Sequence, residues 1–193
     1  MLYYVNHWLP VVAVLAVFIE RIREVFARRD TVPGKKREST TFNLFLLCGL
    51  AMVAGGITEY FVRGLSLWWP IFLPGAVISV ASFVVRRSAI RALGRFWSLH
   101  VEMREGHEFI TSGPFAYARH PVYFSMILET AGLALMLGSW ITLGLVLLVF
   151  VPTLIARVRM EEQALMEKFG DAYRHYMQAT PAILPGLGGR RQA

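Results

Sequence analysis

Cysteine and charge are both scarce in this 193-residue sequence. Only 17% of its residues are charged, whereas an average soluble domain carries about 25%. The single cysteine, Cys48, excludes an intrachain disulfide and a multi-cysteine zinc site, and we expect it to be a small buried hydrophobic residue. Because 55% of the residues are hydrophobic and fall in long uncharged runs, disorder and a fibrous fold are also excluded. The composition predicts an integral membrane protein.

Signatures of nucleotide and metal sites are missing as well. The chain has no G-x-x-x-x-G-K-[ST] motif, and its glycine-rich stretch at residues 186–189 lies in the C-terminal tail, so neither a P-loop nor a Rossmann site is predicted. H-E-x-x-H is absent and the five histidines show no metal-ligand spacing, so no metal site is predicted. The net charge of +7 does not indicate nucleic acid, because the basic residues flank apolar runs.

Three stretches contain no Asp, Glu, Lys or Arg and have about the 20 residues that cross a bilayer as a helix. They are residues 1–19, 39–58 and 64–85. The first lacks a basic start and a small-residue cleavage site, and Glu20 and Arg21 follow it directly. We therefore expect it to be a membrane helix rather than a signal peptide.

A fourth apolar stretch, residues 121–156, has a single charged residue, Glu129, and is too long for one span. Gly138 and Ser139 lie near its middle, where a tight turn is expected. The sequence therefore predicts a hairpin of two short spans, residues 122–137 and 140–156. An ionisable residue within a span is by default a candidate functional residue. For Glu129, a structural role as a carboxyl packed between helices is equally well supported.

The basic residues fall on one side of this five-span arrangement. Seven lie in residues 20–38, six in residues 86–119 and six from Arg157 onward, and Arg63 alone is on the other side. We call the side with nineteen of the twenty the basic side; the positive-inside rule predicts that it is cytoplasmic and that the N-terminus is outside. Residues 30–41 read as a solvated loop on this side. The predicted fold is all-α, with about five transmembrane helices.

A polar stretch on the basic side leads into the fourth span and ends in Arg119-His-Pro-Val-Tyr123. Pro121 suits the first turn of a helix, so His120 is expected at its N-cap and Tyr123 about one turn inside. The unpaired N–H groups there favour a ligand carboxylate. On local physics alone, the simpler interpretation is favoured: Arg119 is an interfacial anchor, and His120-Pro121 is only the start of a helix.

The segment after the fifth span is predicted to be an amphipathic helix. It begins with Arg157, which is followed four and five residues later by Glu161 and Glu162. Its apolar positions recur at spacings of four, four and three residues, as expected for one helix face; they are Leu165, Phe169, Tyr173 and Tyr176. In isolation this segment is better explained as a surface helix with a solvated acidic face.

Together these motifs resemble a known family. Arg119-His-Pro-Val-Tyr123, a 37-residue gap and Glu161-Glu162 resemble the R-H-P-x-Y…E-E signature of the isoprenylcysteine carboxyl methyltransferase family. Residues 93–98 and 106–114 resemble that family's approach to the motif, and the pattern from Glu162 to Pro185 matches its continuation. The resemblance covers about residues 90–186. It implies a division into a three-span region, residues 1–88, and a cofactor-binding and catalytic region, residues 89–193.

The resemblance implies S-adenosylmethionine as the cofactor, enclosed by the last two spans, the polar segment and the C-terminal helix. The matching cofactor-contacting residues are His107, Glu108, Phe109, Ile110, Phe115, His120, Pro121, Val122, Tyr123 and Glu162. Phe115 stands where the family often has a tyrosine, so that hydroxyl is absent. Arg157 matches an arginine directed toward the methyl acceptor, and Arg157 and Glu162 are the expected catalytic residues.

The resemblance implies a lipophilic acceptor that enters from the bilayer, with a prenylcysteine-type carboxylate as the first expectation. An amine lipid or a small thiol is the alternative, and Glu129 beside the acceptor would favour an amine. A steroid-reductase-like NADPH enzyme and a non-catalytic membrane protein are the other readings. The expected location is a bacterial inner membrane or an endoplasmic reticulum, with the active site facing the cytoplasm. The sequence does not indicate an oligomeric state.

Overall fold

A computed structural model describes residues 2–27, 34–38, 40–97, 101–104 and 110–183. Six α-helices and two short strands account for most of these residues. In chain order they are α1 (Leu2–Phe26), β1 (Gly34–Glu38), α2 (Thr40–Val62), α3 (Trp69–Leu93), β2 (Val101–Arg104), α4 (Pro121–Leu137), α5 (Trp140–Phe169) and α6 (Asp171–Ala179). Short 3-10 helices lie at Gly94–Phe96 and Gly113–Ala116.

Each of the five predicted spans overlaps one of the helices α1 to α5, although residues 64–68 of the third span precede α3. Among the described residues, α2, α3 and α5 are long and apolar enough to cross a membrane, and α4 is a shorter apolar helix of 17 residues. The chain is therefore an integral membrane protein with a helical fold. The number of five spans remains a prediction.

The predicted hairpin between the last two spans is present. Gly138 ends α4 with φ +64°, a left-handed conformation that glycine adopts without steric cost. Its N–H donates to the carbonyl oxygens of Ala134 and Leu135, and α5 begins two residues later at Trp140. Antiparallel neighbours with a short connection follow from this turn.

The helix that contains the fifth predicted span extends past residue 156, because α5 continues without a break for 30 residues to Phe169. No glycine or proline interrupts residues 157–169, and Gly170 with φ +54° ends the helix. The amphipathic segment is therefore an extension of the fifth membrane helix, and the separate C-terminal helix is the short α6. The apolar stripe that was expected on one helix is divided by Gly170: Leu165 and Phe169 lie in α5, and Tyr173 and Tyr176 lie in α6.

A two-stranded antiparallel sheet corrects the expectation of a solvated loop at residues 30–41, because Gly34–Glu38 form β1. Gly34 of β1 pairs with Arg104 of β2, and the register is irregular between Lys36 and Glu38. The two strands are far apart in sequence, so their pairing depends on the helices that bring them together and leaves no local signal. The sheet joins the loop after α1 to the polar segment that precedes α4.

Small residues let α3 and α4 approach closely. A Cβ atom on Gly75 would lie 2.8 Å from the carbonyl oxygen of Gly132, and one on Gly132 would lie 2.9 Å from the carbonyl oxygen of Gly75. Such contacts are characteristic of helix pairs in membranes. Since α3 packs against α4 more extensively than any other described pair of elements, it bridges the predicted boundary at residue 88, which remains untested.

The N-terminus of α5 is capped by a side chain of another helix. Glu59 in α2 accepts hydrogen bonds from the N–H groups of Ile141 (3.2 Å) and Thr142 (2.7 Å) and from the Thr142 hydroxyl (2.8 Å). Its charge is balanced by Arg63 at 2.8 Å. A carboxylate at this end satisfies unpaired donors and interacts favourably with the helix dipole.

Candidate active site at the start of α4

His120 lies at the N-cap of α4 and is in contact with two carboxylates from the extension of α5. It is only 6% exposed. Its Nε2 atom is 3.1 Å from Glu162 Oε1, and its Nδ1 atom is 3.5 Å from Glu161 Oε2. Pro121 starts the helix and the imidazole stacks on the Tyr123 ring at 5.6 Å, so the predicted helix start is confirmed.

Arg119 connects the same carboxylate to the C-terminal segment. Its Nε and Nη2 atoms donate to Glu162 Oε1 at 2.8 and 2.6 Å. Its Nη1 atom donates to the backbone carbonyl oxygens of Met177, at 2.9 Å, and of Thr180. A planar guanidinium with five donors can make these bonds together, whereas a lysine ammonium cannot span them.

Backbone hydrogen bonds fix the C-terminal segment against the start of α4. The N–H groups of Arg119 and His120 donate to the carbonyl oxygens of Pro181 and Ala182 at 2.9 and 2.8 Å. The Tyr176 hydroxyl of α6 donates to the carbonyl oxygen of Phe115 at 2.6 Å, and burial raises the pKa of this phenol to about 12. The segment after α5 therefore closes over the polar cluster.

A second group of contacts centres on Arg157, which is 3% exposed. Its Nε atom donates to Tyr123 Oη at 3.0 Å and to Glu161 Oε1 at 3.1 Å, and Nη1 donates to Thr41 Oγ1 at 2.8 Å. The Tyr123 hydroxyl also donates to Glu161. Three helices, α2, α4 and α5, thus hold one guanidinium in a fixed orientation.

Opposite charges in this cluster shift the titration of its members. Burial alone would lower the pKa of His120, but the hydrogen bonds and charges of Glu161 and Glu162 outweigh it and raise that pKa above its ordinary value. Burial alone would raise the pKa of Glu162, yet His120 and Arg119 hold it below its ordinary value. The cluster therefore favours charged His120 beside an ionised Glu162.

The structure gathers His120, Tyr123, Arg157 and Glu162 from the predicted set. Of the other predicted residues close to His120 in sequence, Phe115 and Pro121 are buried, and Ile110 and Val122 are partly buried. The predicted residues His107, Glu108 and Phe109 lie outside the described residues. The cofactor-binding roles of these residues remain predictions.

Glu129 belongs to a different cluster, inside the helix bundle. It is 8% exposed and accepts a hydrogen bond from Arg86 of α3, which is fully buried and also donates to Glu24 of α1. Arg21 Nε lies 3.9 Å from Glu129. Glu129 therefore has cationic partners within the chain, in line with the alternative of a carboxyl packed between helices.

Sequence reasoning missed three members of the site. Arg119 and Glu161 are part of the R-H-P-x-Y…E-E pattern, so the motif itself could have indicated them. Thr41 has no such signal, because it lies 116 positions from its partner Arg157. Only the folded chain brings the start of α2 to this position.

Comparison with known proteins places the site within a shared region. Residues 75–167 match the isoprenylcysteine carboxyl methyltransferase (ICMT) family. The chain is 31% identical over 103 residues to "Protein-S-isoprenylcysteine O-methyltransferase" of Schizosaccharomyces pombe, covering 52% of this chain and 44% of that protein. With the protein of the same name from Dictyostelium discoideum it is 29% identical over 157 residues, 77% of this chain and 62% of that one.

A bacterial relative has a different name. The chain is 28% identical over 127 residues, 65% of its length, to "Nickel-cobalt-cadmium resistance protein NccN" of Alcaligenes xylosoxydans xylosoxydans, and covers 58% of that protein. In all three comparisons the match spans less than two thirds of the relative's length. The matched region runs from α3 into the extension of α5 and contains Arg119, His120, Arg157 and Glu162. Over residues 75–167 the chain is therefore similar to the isoprenylcysteine carboxyl methyltransferase family.

Proposed function

We propose that this protein is a membrane-embedded methyltransferase that moves a methyl group from S-adenosylmethionine to the carboxylate of a lipophilic, prenylcysteine-type acceptor. One observation carries the proposal. The two motif halves that define the family resemblance meet in space, with His120 and Arg119 on Glu162 at 2.6–3.1 Å. The names of the relatives from Schizosaccharomyces pombe and Dictyostelium discoideum support the carboxyl methyltransferase class.

The donor set fits the polar groups of S-adenosylmethionine. The hydrogen bonds to Glu162 from the described part of the chain all fall on Oε1, which leaves Oε2 to accept from ribose hydroxyls or an amino group. The first N–H groups of α4, at Val122 and Tyr123, have no carbonyl partner within the helix and suit a carboxylate. When bound, S-adenosylmethionine supplies a methyl group activated by a sulfonium.

Arg157 is proposed to orient the acceptor. Its guanidinium is held by Tyr123, Glu161 and Thr41, and a guanidinium can pair with a carboxylate through two parallel hydrogen bonds. With the cofactor bound, an ionised acceptor carboxylate held by Arg157 would take the methyl group by direct displacement, so no proton would have to move. Such a displacement depends on alignment more than on acid–base catalysis.

The site is proposed to face the cytoplasm, because His120 and Glu162 lie at the basic side of the helices. Exclusion of water by the bilayer and by the segment after α5 would strengthen the polar contacts. Glu129 is not included in the acceptor site, because Arg86 and Arg21 provide it with partners inside the bundle. An amine lipid selected by Glu129 is therefore less well supported than a carboxylate.

The proposal is tested by methyl transfer from radiolabelled S-adenosylmethionine with the detergent-purified chain. The acceptors are N-acetyl-S-farnesylcysteine, phosphatidylethanolamine and butanethiol, which represent a carboxylate, an amine lipid and a thiol. We expect a base-labile methyl ester on the farnesylcysteine, and loss of at least about tenfold in rate for Arg157→Gln. Arg159→Gln, which neutralises an exposed arginine on the same helix, serves as the matched control. Methylation of the amine or the thiol alone would contradict the proposed acceptor.

A further inference from the structure

A charged groove lies at the basic ends of α1 and α3. Its cavity volume is about 380 Å³. Five of the seven lining residues are charged, and Ala27 and Ile90 supply apolar surface. The lining residues are Glu20, Arg23, Glu24, Ala27, Arg87, Ile90 and Arg91. None of them belongs to the cluster around His120 and Arg157, so the groove is separate from the proposed active site.

The carboxylates of the groove already have partners. Glu20 pairs with Arg23, at 3.5 Å, and with Arg87. Glu24 pairs with Arg86 and with Arg21, the latter at 3.6 Å. Negative charge in this wall is therefore committed to contacts within the chain.

Positive charge is in excess around the groove. The lining residues and the ion pairs that continue from them include five arginines and three glutamates, an excess of two positive charges; they are Arg21, Arg23, Arg86, Arg87, Arg91, Glu20, Glu24 and Glu129. Within the described part of the chain, Arg91 is exposed and has no ion-pair partner. An unbalanced cationic surface at a helix end attracts anions.

A second observation points to the same deficit of acceptors. Arg86 is fully buried and donates to Glu24, which lines the groove, yet its Nη2 atom has no hydrogen-bond partner among the described residues. A buried N–H donor without an acceptor is energetically unfavourable. The network is therefore short of negatively charged oxygen atoms.

We propose that this groove binds the phosphodiester headgroup of an anionic membrane lipid. The ends of two apolar helices place it at the depth of lipid headgroups, and basic pockets between helices on the cytoplasmic side suit such groups. Arg23, Arg87 and Arg91 contact the phosphate oxygens, and Ile90 contacts the upper part of the lipid chains. This site is independent of methyl transfer and does not rest on the proposed function.

The test uses the full chain in detergent micelles, titrated with dioctanoyl-phosphatidylglycerol, dioctanoyl-phosphatidylcholine or inorganic phosphate. Native mass spectrometry and fluorescence quenching measure the bound lipid. Arg91→Gln and Arg87→Gln are compared with Arg159→Gln, which removes an exposed charge on the same side of the membrane away from the groove. Arg87→Gln removes an ion pair and could disturb the fold. Arg91 has no ion pair among the described residues, so Arg91→Gln tests the groove without this complication.

We expect phosphatidylglycerol to bind more tightly than phosphatidylcholine and each groove variant to weaken it roughly fivefold, the effect of one basic residue near a lipid surface. Arg159→Gln should leave the affinity unchanged. Equal binding of the two lipids, or unchanged binding in Arg91→Gln, would overturn the proposal. Displacement of the lipid by inorganic phosphate at equal concentration would overturn the assignment to a lipid and leave only a soluble anion site.

Discussion

His120 has the most informative position among the single residues of the site. It is buried, it caps α4, and it lies between two carboxylates that come from the next helix. A charged imidazole is favoured only because Glu161 and Glu162 compensate for burial. The residue therefore couples the two motif halves through a titratable contact.

This coupling predicts a pH-dependent stability. Since the folded pKa of His120 is raised above its ordinary value of 6.5, its stabilising contribution is fully present below that value and is lost as pH rises through the folded pKa. The difference in melting temperature between wild type and His120→Asn should be larger at about pH 6 than at about pH 9. Thermal unfolding in detergent measures it. A difference that grows with pH would show that the neutral imidazole is the stabilising form.

Arg119→Lys tests the link to the C-terminal segment. Lysine keeps the charge but cannot bond Glu162 and the Met177 carbonyl together, so the loss should be about 1–3 kcal/mol of local stability. Hydrogen–deuterium exchange should accelerate across residues 171–183. Arg174→Lys, an exposed residue of α6 paired only at 3.3 Å with Asp171 among the described residues, is the matched control. Unchanged exchange in Arg119→Lys would mean that backbone contacts alone hold the segment.

At the scale of elements, the crossing of α3 and α4 controls where the site residues lie. Gly132→Ala should destabilise the chain by about 1–3 kcal/mol, because its Cβ atom would meet backbone atoms of α3 at 2.9–3.0 Å. Gly144→Ala is the control, since nothing lies within 4 Å of that position, and it should be neutral or up to about 1 kcal/mol stabilising. Unfolding in mixed micelles gives both values; equal effects would contradict the close crossing.

Patterns within a single element were predictable, and contacts between distant elements were not. Hydropathy located all five helices, although the third predicted span begins five residues before α3. Gly138 marked the hairpin turn, and Pro121 marked the start of α4. The continuation of α5 past residue 156 was missed, because the change from a uniformly apolar to an amphipathic pattern does not show whether the helix is interrupted. Thr41 on Arg157, like the strand pair, depends on tertiary packing alone.

For Glu129, the position within a span was predictable from the sequence, but its partner was not. An isolated carboxyl within a span signals either function or pairing. Arg86 is fully buried in α3, near the basic end of that helix. The positive-inside rule counts it among the basic residues that flank the third span, so the sequence does not indicate that it is buried. The geometry of the bundle identifies it as the partner of Glu129.

At the scale of the whole molecule, the charge distribution predicts the orientation in the membrane. Nineteen of twenty basic residues fall on one side when the chain has five spans. A fluorescent protein fused after Ala193 should therefore fluoresce in the cytoplasm, and a periplasmic alkaline phosphatase fused there should be inactive when the chain is expressed in bacteria. The opposite pair of readouts would overturn the predicted topology and the side of the proposed site.

The central claim is that the cluster of Glu162, Arg119 and His120 holds S-adenosylmethionine. Calorimetric titration of detergent-purified protein with S-adenosylmethionine and S-adenosylhomocysteine tests it most directly. We expect binding by wild type and by Glu167→Gln, an exposed carboxylate on the same helix, and at least about tenfold weaker binding by Glu162→Gln. Equal affinity in Glu162→Gln and wild type, or no binding by folded wild type, would contradict the claim.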